Sequence, residues 1–129
     1  MIKKLENEFI NLFISKDYKE RLLYELNSPK KRTVGLDRFC HDFKKMISKQ
    51  VSVEYNKILT EKELSLFFNQ TKEVFILSSN FMNGAMVLLN EAFDYIQNEF
   101  SFVILYCNKR AVVKTEHEGG KAEIYMLRG

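Results

Sequence analysis

Cys40 and His41 are the one place in this sequence where two potentially reactive side chains are neighbours. A nucleophilic cysteine needs an imidazole that reaches the sulfur and holds it as thiolate. Adjacent residues on a helix point about 100° apart, so this pair is poorly arranged for direct help. Cys40 falls on an apolar stripe and His41 at its edge, the pattern of a buried thiol beside a boundary histidine. A four-ligand metal site would have to combine Cys40, His41, Cys107 and His117. Structural zinc sites draw on short local pairs such as CxxC or HxxxH, and the chain has neither, so no metal is expected. Nothing in the sequence calls for a cofactor.

Two other segments could hold a ligand. Glu116-His117-Glu118-Gly119-Gly120 sets carboxylates around an imidazole, which could bind a cation or move a proton. The same composition is also that of a hairpin tip. Residues 80–84 carry one glycine and no GxGxxG or GxxxxGK pattern. Only their position, after a strand and before a helix, points to a ligand.

The basic run Lys30-Lys31-Arg32 lies at an expected helix start, with Arg38, Lys44 and Lys45 further along. Free backbone N–H groups at a helix start, together with cationic side chains, can bind phosphate, and a nucleic-acid backbone is the specific version of that idea. Three consecutive charges with no interleaved aromatic residue also describe an ordinary solvated turn.

These groups are carried by a chain of 129 residues, a length that fits a single domain, residues 1–129, able to bury roughly two-thirds of its unfolded surface without a disulfide or metal staple. Eleven Phe and six Tyr with no Trp make an aromatic-rich core. Two distant cysteines suit a reducing compartment. The charged opening Met1-Ile-Lys-Lys is followed by Glu6, Asn7, Glu8 and Asn11, which interrupt any apolar run, so neither a signal peptide nor a membrane span is read, and the expected location is cytoplasmic. The net charge is +3 but unevenly placed: residues 1–50 hold 12 Lys/Arg against 7 Asp/Glu, and residues 51–129 hold 8 against 10. The basic character belongs to the first part.

Apolar spacing gives the elements. Leu5, Phe9, Leu12 and Phe13 mark an opening amphipathic helix. Ser15 is a candidate cap for a second helix with Tyr18, Leu22, Leu23 and Leu26 on its buried side, and Arg21 and Glu25 one turn apart. Ser28-Pro29 reads as the start of a third helix running through Leu36, Phe39, Cys40, Phe43 and Ile47, weakened at Gly35 by about 1 kcal/mol. Residues 48–58 read as extended loop despite the alternation of Val51, Val53 and Tyr55. Thr60 and Glu63 form a capping-box pattern ahead of a short helix with Leu64, Phe67 and Phe68.

Residues 74–79 and 102–107 are continuous apolar runs of strand length, separated by a helix carrying Leu88, Leu89, Ala92, Phe93 and Ile96. That order predicts a parallel pair joined by a right-handed crossover. Further strands are expected near 111–115 and 123–127, with Asn108-Lys109 and Gly119-Gly120 as turns. The expected fold class is α+β: N-terminal helices (the basic part, 1–50) packed on a small mixed sheet of β-α-β-β-β order (72–128).

Several segments, Arg21-Leu-Leu-Tyr-Glu25-Leu, Ser28-Pro-Lys-Lys-Arg32, Leu36-Asp-Arg-Phe-Cys-His41, Asn83-Gly-Ala-Met, Leu89-Asn-Glu-Ala92 and Ile124-Tyr-Met-Leu127, together resemble a family of small bacterial proteins of unknown function. The resemblance implies a bacterial, intracellular, single-domain protein and carries no activity, ligand or catalytic residue with it. It draws attention to Arg21, Glu25, Lys31, Arg32 and His41. With Lys30 and Arg38, these are the candidate binding residues, and no catalytic set is assigned. The leading expectation is a non-enzymatic interaction protein, for instance an immunity-type partner that holds another protein. Phosphate-backbone binding through the basic helical half and a small enzyme are the alternatives, and no membrane partner is expected.

Overall fold

In a computed structural model, residues 2–56, 60–69, 71–78, 84–98, 102–115 and 123–128 are described. The protein is α+β, with helices gathered in the N-terminal part and strands after them. The chain forms two compact units, residues 1–52 and 53–128. Among the described residues no helix is long and apolar enough to cross a membrane.

In the first unit, α1 (Ile2–Phe13) buries Phe9, Ile10 and Phe13 at helical spacing, as the apolar stripe requires. An aromatic chain runs from Phe13 to Phe9 (5.1 Å between ring centroids), on to Phe39 (6.1 Å) and to Phe43 (6.0 Å). Ser15 occupies the N-cap of α2 (Lys16–Asn27) in extended conformation, but its side chain makes no capping bond. Residues 28–31 do not open the third helix as Pro29 suggests. Ser28 closes α2 by donating its N–H to the Glu25 carbonyl, and its own carbonyl accepts from Lys31 and Arg32. The helix α3 (Arg32–His41) therefore starts one turn later, with Lys31 at its N-cap position and no side-chain capping bond. It runs through Gly35 and stops at Asp42, after which α4 (Phe43–Met46) restarts, so the single long stripe is two helices.

In the second unit, β1 (Ser52–Asn56) is a strand, so the alternation of Val51, Val53 and Tyr55 was the better guide and the loop reading is corrected. Thr60 caps α5 (Glu61–Phe67) with a full capping box: the Thr60 hydroxyl accepts from the Glu63 N–H at 3.1 Å while the Glu63 carboxylate accepts from the Thr60 N–H at 3.3 Å. The remaining elements are β2 (Glu73–Ser78), β3 (Met86–Leu88), α6 (Leu89–Asn98), β4 (Val103–Cys107), β5 (Arg110–Lys114) and β6 (Ile124–Arg128), and the sheet order is β1-β6-β5-β4-β2-β3.

The expected parallel crossover is overturned. β2 pairs antiparallel with β4, and so do β2 with β3, β4 with β5 and β5 with β6. The cause is β3, a three-residue strand at the head of what reads as one helix. It reverses the chain against β2, so α6 sets off in the direction of β2 and β4 returns opposite to it. Leu88 accordingly belongs to the strand and the helix begins at Leu89.

Val74, Ile76, Val103, Leu105, Val112, Ile124 and Met126 alternate onto one sheet face, where Leu64, Phe67, Phe68, Ala92 and Ile96 of the helices and the segment following α5 pack against them. Phe75, Leu77, Ile104, Tyr106, Val113, Tyr125 and Leu127 point the other way and are also buried. Burial on both faces explains the unbroken apolar runs. Asn108 and Lys109 both take positive φ, 45° and 65°, the geometry of a tight hairpin turn between β4 and β5. Lys114 is only 7% exposed, and its ammonium donates to the Ile96 carbonyl in the last turn of α6, where a helix accumulates negative partial charge. Arg110 and Arg128, directly opposite across β5 and β6, share the end of α5. Arg110 donates to the Phe67 carbonyl at 2.6 Å, and Arg128 lies over the Phe67 ring and pairs with Glu54 at 3.3 Å.

Candidate functional site

The candidate residues lie on α2, on α3 and in the turn between these helices. Arg21 and Glu25 are four apart and so share one face of α2. Glu25 turns inward and is 5% exposed, an expensive place for a carboxylate unless it is met by a cation. Arg38 of α3 meets it with both terminal nitrogens: Nη1 donates to Oε2 at 2.8 Å and Nη2 to Oε1. Arg21 approaches Oε2 at 3.8 Å from outside, with 71% of its side chain exposed. The hydrogen bond from Arg38 lowers the Glu25 pKa most, burial works against it, and the charges of Arg38, Arg21 and Lys31 add to the lowering.

Gly35 makes this possible. A Cβ at Gly35 would lie 2.9 Å from the Glu25 Cβ, closer than real side chains come. The glycine that costs α3 helical propensity is what lets it approach α2 and deliver Arg38. A second ion pair ties α3 to α1. Arg32 donates to both oxygens of Glu6, at 2.8 and 2.6 Å, and also to the Leu26 carbonyl at 2.8 Å, and Glu6 is 1% exposed.

Arg32 and Arg38, read from sequence as candidate phosphate ligands, thus have their guanidinium forks committed to internal carboxylates. Lys30 and Lys31 stay exposed, and the Lys31 ammonium sits 5.4 Å from the centroid of the Tyr24 ring. His41 is exposed and bonds through Nδ1 to the Asp37 carbonyl one turn earlier, 2.8 Å away. Since a carbonyl only accepts, that nitrogen carries the proton. Arg21, Glu25, Lys31 and Arg38 are brought together; Arg32 and His41 each have different partners.

Compared with known family models, curated proteins and solved structures, the chain matches none. The site rests on its own geometry.

Three of its members escaped the sequence reading. Tyr24 is 62% exposed and Val34 is 60% exposed, large values for such side chains. Both fall off the buried stripes of their helices (Leu22 and Leu26 on α2, Leu36 and Phe39 on α3), which is the signal that could have found them. Glu6 lies on the apolar stripe of α1, a turn before Phe9 and Ile10, and an acid in that position asks for a buried cation.

Elsewhere, a shallow open groove beside α5 and the start of α6 is lined by Glu61, Lys62, Ser65, Leu66, Leu89 and Asn90, without a histidine or a thiol. Neither Cys40 nor Cys107 is in a disulfide, and both are half-buried. Among the described residues no three His, Cys, Asp or Glu side chains are grouped to hold a metal ion. The Glu116–Glu118 tip, with His117, Gly119 and Gly120, and all of residues 80–84 except Gly84 lie outside the described residues.

Proposed function

We propose that the protein is a cytoplasmic, non-enzymatic bacterial binding protein that holds a partner protein on the α2–α3 face. The observation that carries this reading is the pair of large apolar side chains left open there. Tyr24 and Val34 are each about three-fifths exposed, with Arg21 and Lys31 nearby, on helices braced by two internal ion pairs. Exposed aromatic and aliphatic side chains rimmed by arginine are the composition of interface centres. An immunity-type complex, in which one protein blocks another, is one form this would take.

The reading is tested by recovering the protein from its native cells at endogenous level and identifying what accompanies it. A stoichiometric protein is expected with the wild type and is lost with the Tyr24→Ser/Val34→Ser double variant, whose surface substitutions leave stability nearly unchanged. Absence of any such protein, or one retained by the variant, overturns the reading. Co-purification of nucleic acid released by salt would move the assignment to phosphate-backbone binding through Lys30 and Lys31.

A further inference from the structure

Resting on that reading and extending it, we infer that the α2–α3 face takes an acidic segment of its partner, one that carries an aromatic or branched apolar anchor. The charge layout points to this class. Besides Arg32, which is tied to Glu6, this part of the unit carries Arg21, Lys30, Lys31 and Arg38, with Lys16 and Lys19 at the start of α2. The carboxylate among them, Glu25, is 5% exposed and is closed off by the bidentate Arg38, so that pair is internally neutral. Arg21, Lys30 and Lys31 remain as outward positive charges around the open Tyr24 ring. Val34, three residues after Lys31 and so one helical turn along, is a second exposed apolar side chain. Glu20, a turn before Tyr24, and Asp37, a turn beyond Val34, are both exposed and bound the positive patch at its two ends.

Such a surface favours acidic peptide over nucleic acid on two counts. The arginine forks suited to phosphate, those of Arg32 and Arg38, already hold carboxylates of this chain. The one exposed aromatic ring on α2 and α3 offers no succession of stacking platforms for bases, whereas the exposed Tyr24 and Val34 side chains each leave apolar surface for a partner's side chain. Lysine ammoniums at the rim then set charge preference and association rate.

Panning a random-peptide display library on the full chain tests this. Enriched peptides are expected to carry net negative charge with an aromatic or branched apolar residue. Their binding is expected to weaken as salt rises and to fall about tenfold on Lys30→Gln/Lys31→Gln, and as far on Tyr24→Ser/Val34→Ser. Melting curves of both variants should match the wild type. Lack of enrichment, neutral or basic consensus peptides, or equal binding by either variant overturns the inference, as does oligouridine binding that outcompetes the peptides. A native partner lost on Tyr24→Ser/Val34→Ser but retained on Lys30→Gln/Lys31→Gln refutes the acidic segment while leaving protein binding in place. Absence of any native partner refutes the broader reading itself.

Discussion

Replacing Arg38 by alanine isolates what holds the helical unit together. Glu25 stays where α2 puts it, 5% exposed, but loses the guanidinium that satisfies both its oxygens. Removing one partner of a buried pair costs about 3–5 kcal/mol, because the other charge is left uncompensated. Water reaches Arg38, whose side chain is 22% exposed, so the lower end applies, about 3 kcal/mol. At about 4 °C per kcal/mol for a chain of this size, the melting temperature falls by about 12 °C at neutral pH.

The pH dependence gives a second readout. In the wild type the folded-state pKa of Glu25 lies below its unfolded value, so the pair contributes fully above the ordinary carboxylate range and is lost as pH falls through the folded pKa. Without Arg38, burial becomes the largest remaining influence and favours the protonated acid. The gap between variant and wild type therefore narrows on acidification, measured by thermal melts across the acid range. Replacing both partners with leucine, Glu25→Leu/Arg38→Leu, recovers most of the loss. A fall of only a few degrees for Arg38→Ala, or a gap that stays constant as pH drops, refutes the reasoning.

Gly35→Ala has a sign opposite to helix propensity. The alanine gains about 1 kcal/mol in α3, but its Cβ would meet the Glu25 Cβ at 2.9 Å, and overpacking of that kind costs about 1–3 kcal/mol, so a lower melting temperature is expected and a higher one would refute the close approach. Thr60→Ala removes the capping bond from the Glu63 N–H and is expected to cost about 1 kcal/mol in a denaturant titration, while Thr60→Ser keeps it; equal stability of the two variants would show the capping box to be incidental.

The elements were legible where one physical signal acted alone. Phe9 and Phe13 at helical spacing gave α1, Thr60 and Glu63 gave the start of α5, and Asn108-Lys109 gave a two-residue turn whose positive φ values the structure supplies. Errors came where two signals competed. Proline suits a helix's first turn, and the Ser28 carbonyl does accept from Arg32 at helical spacing. But it also accepts from Lys31, and the next helical bond runs only from Gly35 to the Lys31 carbonyl, so the segment closes as a turn first. The strand Met86–Leu88 was hidden because Val87, Leu88 and Leu89 join smoothly onto the apolar face of the helix that follows. Missing three residues reversed the inferred direction of β4, since each added hairpin inverts the next strand. Continuous apolar runs also fit a parallel pair, but burial of both faces is all they report.

The site was legible as a set of residues but not as a set of partnerships. Arg21, Glu25, Lys31 and Arg38 were singled out, and the structure does bring them together. Counting cations along residues 1–50 could not distinguish an arginine facing solvent from one facing a buried acid 13 or 26 residues away in sequence. Glu6 and Glu25 convert two of the most promising phosphate ligands into internal braces, and only the lysines and Arg21 keep an outward charge. The apparent strength of a basic segment thus depends on where its acids point. In this unit both inward carboxylates select arginine, whose planar fork can satisfy two oxygens at once, and leave lysine at the surface. That division of labour is why exchanging Arg38 for lysine, which keeps the charge but not the fork, should restore only part of the stability lost in Arg38→Ala. Full restoration would mean that charge alone, without the two-point geometry, holds α3 against α2.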